Sequence, residues 1–171
     1  MAQTDPDPVT SAANPADMSA VPVIPRETRD EVCRLLDSAS ARRSGPEAIT
    51  AALVEAEGFQ DVRRARADLE TRLAVQPVQA EPELVLLAAH ELLANAVLHG
   101  APPVSLVVAD GSAELGTVVA VLDFGDGTPR YSHEGFHGLA ILASMSGERL
   151  SLLPGADGGK WTIVGLPATV R

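Results

Sequence analysis

The sequence predicts an α+β domain whose helices cover one face of a mixed, mostly antiparallel sheet. Three observations lead there. Up to residue 99 the apolar residues mostly recur at helical spacing, and beyond it they fall into short β-branched runs bounded by Gly and Pro. The resulting order is helices, hairpin, helix, hairpin, without the strand–helix–strand alternation that parallel strands need. A length of 171 residues suits one ordinary domain better than two.

Residues 1–25 carry Pro6, Pro8, Pro15, Pro22 and Pro25 among Ala, Ser, Thr and Asp. That composition buries too little surface to offset its ordering entropy, so a disordered tail is expected. Val32, Leu35 and Leu36 predict a short helix over residues 26–41, and a second helix is expected over 47–57 after the Gly45-Pro46 break. Together they form a helical N-terminal extension, 26–60, ahead of a main domain at 61–171. Asp61 is the expected N-cap of a helix to about residue 75, with Val62, Ala65, Leu69 and Leu73 on one stripe and Pro77 beyond its end. Pro82 suits the first turn of the next helix, which Gly100 stops. Residues 104–109 and 116–122 read as a hairpin through Asp110-Gly111, and 149–153 with 161–166 as a second one. Between the hairpins lie a Gly-rich loop, 123–138, and a short apolar helix, 139–145.

Charge and composition remove several function classes. Thirteen Lys+Arg against 23 Asp+Glu give a net charge of -10, which opposes binding to nucleic acid or an anionic membrane. Cys33 is the single cysteine, so no internal disulfide and no cysteine-based zinc cage can form. No apolar run approaches a membrane span, and the acidic, Pro-rich N-terminus does not resemble a secretory leader. A soluble cytoplasmic domain is the expectation.

The helix over residues 82–99 is apolar almost throughout, so its polar exceptions are informative. Glu91, Asn95 and His99 stand at i, i+4 and i+8 and share one face. A carboxylate in such a helix is expensive unless it is paired or meets a ligand or water. The Asn95 amide oxygen adds a donor suited to a hard cation such as Mg²⁺. A buried hydrogen-bond network to a neighbouring element would use the same residues. Next, the strand ending at Leu122 runs into Asp123-Phe124-Gly125-Asp126-Gly127, where alternate glycines admit a close ligand and Asp123 offers a fixed acceptor. Finally, Gly138-Leu139 opens a helix whose free N–H groups can receive phosphate.

In order and spacing these segments resemble the GHKL (histidine-kinase-like) ATPases. Glu91-Leu92-Leu93-Ala94-Asn95 is similar to their N box, Asp123-Phe124-Gly125-Asp126-Gly127 to the first Gly box, and Gly138-Leu139 to the second. Gly158-Gly159-Lys160-Trp161-Thr162 through Pro167 is similar to the closing strand, and the short interval between Gly boxes most resembles the bacterial anti-sigma-factor serine kinases. The resemblance implies a two-layer α/β sandwich holding ATP and Mg²⁺. It implies Asn95 as Mg²⁺ ligand, Asp123 as acceptor for the adenine amino group, Gly125 and Gly127 as room for the base, and Gly138 with Leu139 at the phosphates. Glu91 would be the general base toward a serine hydroxyl. The implied partners are an anti-sigma-factor antagonist and a sigma factor, and a homodimer is compatible with the family.

The family's second box usually begins with a glycine where Phe136 stands, which favours a catalytically silent partner-binding module as the alternative. A remoter alternative is a zinc hydrolase built on His133-Glu134-Gly135-Phe136-His137. That string needs an unbroken helix, and Gly135 interrupts it. His90-Glu91-Leu92 lacks the proline that follows a phosphoacceptor histidine, and Gly155 to Lys160 is one residue short of a P-loop. Arg63, Arg64, Arg66 and Arg72 read as a solvated helix face, with a docking patch for an acidic partner as the other option.

Overall fold

Valine-rich sequence sets the middle of the molecule. The computed structural model describes residues 26–41, 48–53, 58–126, 150–155 and 158–169. These form α1 (Arg26–Ala41), β1 (Ala48–Leu53), α2 (Phe59–Val75), α3 (Pro82–His99), β2 (Val104–Asp110), β3 (Thr117–Asp123), β4 (Leu150–Pro154) and β5 (Lys160–Leu166). Among the described residues the strands make one sheet in the order β1-β2-β3-β5-β4. Every neighbouring pair is antiparallel, so the expected mixed sheet is antiparallel throughout this region.

Alternation along the strands divides the core in two. Val104, Leu106 and Val108 of β2, with Val119 and Val121 of β3 and Val164 of β5, pack against Val62, Leu69, Val85, Leu92 and Leu93 of α2 and α3. This is the predicted two-layer α/β arrangement, and the whole α2 stripe of Val62, Ala65, Leu69 and Leu73 is buried in it. The expectation that all helices share that face is corrected by α1. Its Val32 and Leu36 cluster with Val107, Val118, Ala120, Trp161 and Ile163, which point the opposite way. Glu31 fastens α1 there, its carboxylate accepting from the Ser112 backbone N–H (2.6 Å) and hydroxyl (3.1 Å) in the β2–β3 turn.

Two further local expectations change. The helix foreseen over 47–57 is in part β1, paired with β2 from Ala48↔Ala109 to Leu53↔Val104. Its Ala-rich sequence has little intrinsic strand preference, and the hydrogen-bonding edge of β2 decides its state. The helix expected to be capped by Asp61 starts at Phe59 after Gly58, and no side chain caps it. Asp61 sits in the first turn, where a negative charge complements the helix dipole. The tail at 1–25, the helix at 139–145 and most of the Gly-rich loop lie outside the described residues.

The turn after α2 sets where α3 runs. The Gln79 N–H donates to both oxygens of the Asp110 carboxylate (3.0 and 3.2 Å), and the Ala80 N–H donates to Thr117 Oγ1 (2.9 Å). Thr117 in turn donates to Asp110 Oδ1 at 2.7 Å. The N-terminal end of α3 is thereby pinned beside the start of β3. Eighteen helical residues span about 27 Å and seven strand residues about 24 Å. The far end of α3 therefore arrives beside the far end of β3, at Asp123.

Glycine is required at Gly116, just before β3. Its φ is +71°, and a Cβ there would collide with the Leu166 carbonyl oxygen.

Candidate functional site

The site is assembled where α3 ends and β3 ends. Glu91 and Asn95 lie on one face of α3, both half-buried, while Leu92, Leu93, Ala94 and Ala96 around them are buried. His99, the third member of the expected stripe, is exposed. Asn95 is five residues before Gly100, about 7.5 Å along the axis, and Glu91 lies one further turn back. His90 is half-buried, and its Nδ1 is a buried atom without a hydrogen-bond partner.

Asp123 is the last residue of the central strand β3, and only 3% of its side chain is exposed. Gly100, the C-cap of α3, packs directly on it: a Cβ at Gly100 would lie 2.7 Å from the Asp123 carboxyl carbon. Gly125 is equally close, with Gly100 Cα 2.6 Å from where its Cβ would be, and the Phe124 N–H donates to the Ala101 carbonyl at 3.0 Å. The space that a side chain would take at Gly125 is thus filled by the end of α3. The absence of a side chain at Gly125 is what lets the two backbones pack this closely.

A buried carboxylate at the C-terminal, partially negative end of a helix needs compensation. Lys160 supplies it. Lys160 is the direct cross-strand partner of Asp123 in the β3–β5 register. Its Nζ donates to Asp123 Oδ1 at 2.5 Å and to the Gly125 carbonyl at 2.6 Å, and the Gly125 N–H donates to the same Oδ1 at 2.9 Å. Asp123, Gly125 and Lys160 therefore close a ring of hydrogen bonds that fixes the turn after β3. Sequence reasoning assigned Lys160 only to the closing strand. The signal that would have found it is an opposite-charge pair across antiparallel strands.

Among the described residues no three His, Cys, Asp or Glu side chains converge as metal ligands. Mg²⁺ commonly takes one or two protein oxygens and completes its shell with water and phosphate. The Asn95 carbonyl oxygen is a donor of that kind. Gly127, Gly138, Leu139 and Phe136 lie outside the described residues, as do His133, Glu134 and His137 of the zinc alternative. Among the described residues no helix is long and apolar enough to cross a membrane. No protein-family model matches the chain, and no curated protein matches it.

Proposed function

We propose that this chain is a GHKL-type ATP-binding regulator. In this reading it phosphorylates serine or threonine on a protein antagonist and sequesters a sigma factor. The observation that carries it is the buried Asp123 at the end of the central strand, held against the helix that bears Glu91 and Asn95. Asp123 would accept the exocyclic amino group of the base. Asn95 would hold Mg²⁺, which when bound offsets charge on the transferring phosphoryl group. Glu91 would take the proton from the partner's hydroxyl as that oxygen bonds the γ-phosphorus and ADP departs with the β–γ bridging oxygen.

Titration calorimetry with ATP and Mg²⁺ tests the binding step. Wild type should bind in the micromolar to millimolar range, and Asn95→Ala should weaken binding without loss of fold. No affinity at millimolar ATP would refute the proposal. Glu91→Ala should keep ATP binding but lose about 10² to 10⁴ in phosphotransfer to a co-purified antagonist. Loss of ATP binding in that variant would instead make Glu91 a structural or metal-shell residue.

A silent partner-binding module is the second reading, and the Lys160–Asp123 pair favours it, because the carboxylate meant for a ligand already has a cation. ATP binding without phosphotransfer to any antagonist would select this reading.

A further inference from the structure

We propose that the sheet face opposite α2 and α3 is a docking surface for an amphipathic helix of a protein partner, with α1 as its displaceable occupant in cis. The proposal is independent of the nucleotide site. In a two-layer domain of antiparallel strands the outer face is commonly polar and open to water. Here it carries Val107, Val118, Ala120, Leu153, Trp161 and Ile163, so it needs a cover. Among the described residues α1 is the helix that packs there, and none of its residues enters the core between the sheet and α2 and α3. It lies over β1 and β2, at the edge of the sheet. Its departure breaks neither the strand order nor the main core.

The face reads a short pattern. Glu31, Val32, Leu35 and Leu36 turn toward it, while Arg29, Asp30, Cys33 and Arg34 are exposed. The acid meets a built receptor. The Ser112 N–H and hydroxyl both donate to the Glu31 carboxylate, at 2.6 and 3.1 Å. The Leu115 N–H donates to Ser112 Oγ at 3.3 Å and orients that hydroxyl. Gly111 leaves the carboxylate room, because a Cβ there would lie 3.1 Å from Glu31 Oε1. The turn can hold a carboxylate from any helix that places apolar residues one, four and five positions later, as Val32, Leu35 and Leu36 stand after Glu31. A 16-residue helix is marginal in water by itself, so α1 is helical because it is docked. Val32 and Leu36 are its buried side chains among the described residues, far fewer than α3 commits to the main core. It therefore opens before the rest of the domain, and a partner helix with the same pattern and wider apolar contact takes its place.

Fluorescence anisotropy with a labelled peptide of residues 26–41 tests the surface on the full chain. Val32→Asp combined with Leu36→Asp should expel α1, and that chain should bind the peptide saturably below about 1 mM. A tethered helix acts at about millimolar effective concentration, so wild type should bind the peptide at least about tenfold more weakly. A peptide carrying Glu31→Ala should lose about tenfold or more on the opened chain. In wild type, hydrogen exchange should be at least about 100-fold faster across Arg26–Ala41 than in α3. Exchange in α1 as slow as in α3 overturns the proposal, even if the double variant fails to fold. No peptide binding by a folded double variant overturns it as well, and so does equal binding of the Glu31→Ala peptide, since the turn would then not read the acid. Wild-type dimers that vanish in the double variant would assign the face to a second copy and overturn the partner.

Discussion

Removing the Lys160 ammonium should cost the fold more than most single substitutions. Asp123 is buried against the end of α3, and Lys160→Met leaves its carboxylate with the Gly125 N–H at 2.9 Å as its remaining donor from the ring. Breaking one side of a buried ion pair typically costs 3–5 kcal/mol, roughly, because an uncompensated charge stays behind. Lys160 is 22% exposed and water can reach its place, so the lower end applies, about 3 kcal/mol. For a chain of 171 residues that lowers the melting temperature by about 6–12 °C. Asp123→Asn in the same chain removes the stranded charge and keeps an acceptor for the Gly125 N–H, so the double variant should recover about 2 kcal/mol. Trp161 is the only tryptophan, adjoins Lys160 and is buried, so urea unfolding followed by its fluorescence reads the transition at the site itself. A Lys160→Met midpoint equal to wild type, or a double variant whose loss is the sum of the single losses, would refute the assignment of Lys160 as the partner that neutralises Asp123.

Two further outcomes follow from packing. Gly116→Ala should destabilise by about 2 kcal/mol or more in thermal unfolding, because it combines a φ of +71° with a collision at the Leu166 carbonyl. Glu31→Ala should remove the polar fastening of α1 to Ser112 at a cost of about 1 kcal/mol, and hydrogen exchange should quicken across Arg26–Ala41 more than in α3. Unchanged exchange in α1 would mean that Val32 and Leu36 alone hold it on the sheet.

What was legible in the sequence is what local chemistry controls. Pro82 and Gly100 bracket an apolar run, and α3 occupies Pro82–His99. The two hairpins lie where the β-branched runs put them, within a residue or so at their ends. What stayed hidden depends on distant partners. The segment at Ala48–Leu53 is a strand because β2 offers an edge some 56 residues away in sequence, at the Ala48↔Ala109 end about 61. The stripe of Val32, Leu35 and Leu36 announces that α1 buries one side, but helical periodicity carries no information about which face of a sheet receives it.

The site divides in the same way, and the division bears on its chemistry. A strand that ends in Asp123 before alternate glycines marks a place of close approach, and the structure puts one there. Local sequence does not say what approaches. At Gly125 it is the backbone of Gly100, and at Asp123 it is the ammonium of Lys160, 37 residues further along the chain. Both contacts follow from the β3–β5 register and the length of α3. A one-residue slip in that register would turn Lys160 to the opposite face and leave Asp123 buried against a helix C-terminus without a cation. That pairing is therefore what makes this carboxylate tolerable in the core. Lys160→Arg, which keeps the charge, should accordingly retain most of the stability that Lys160→Met loses.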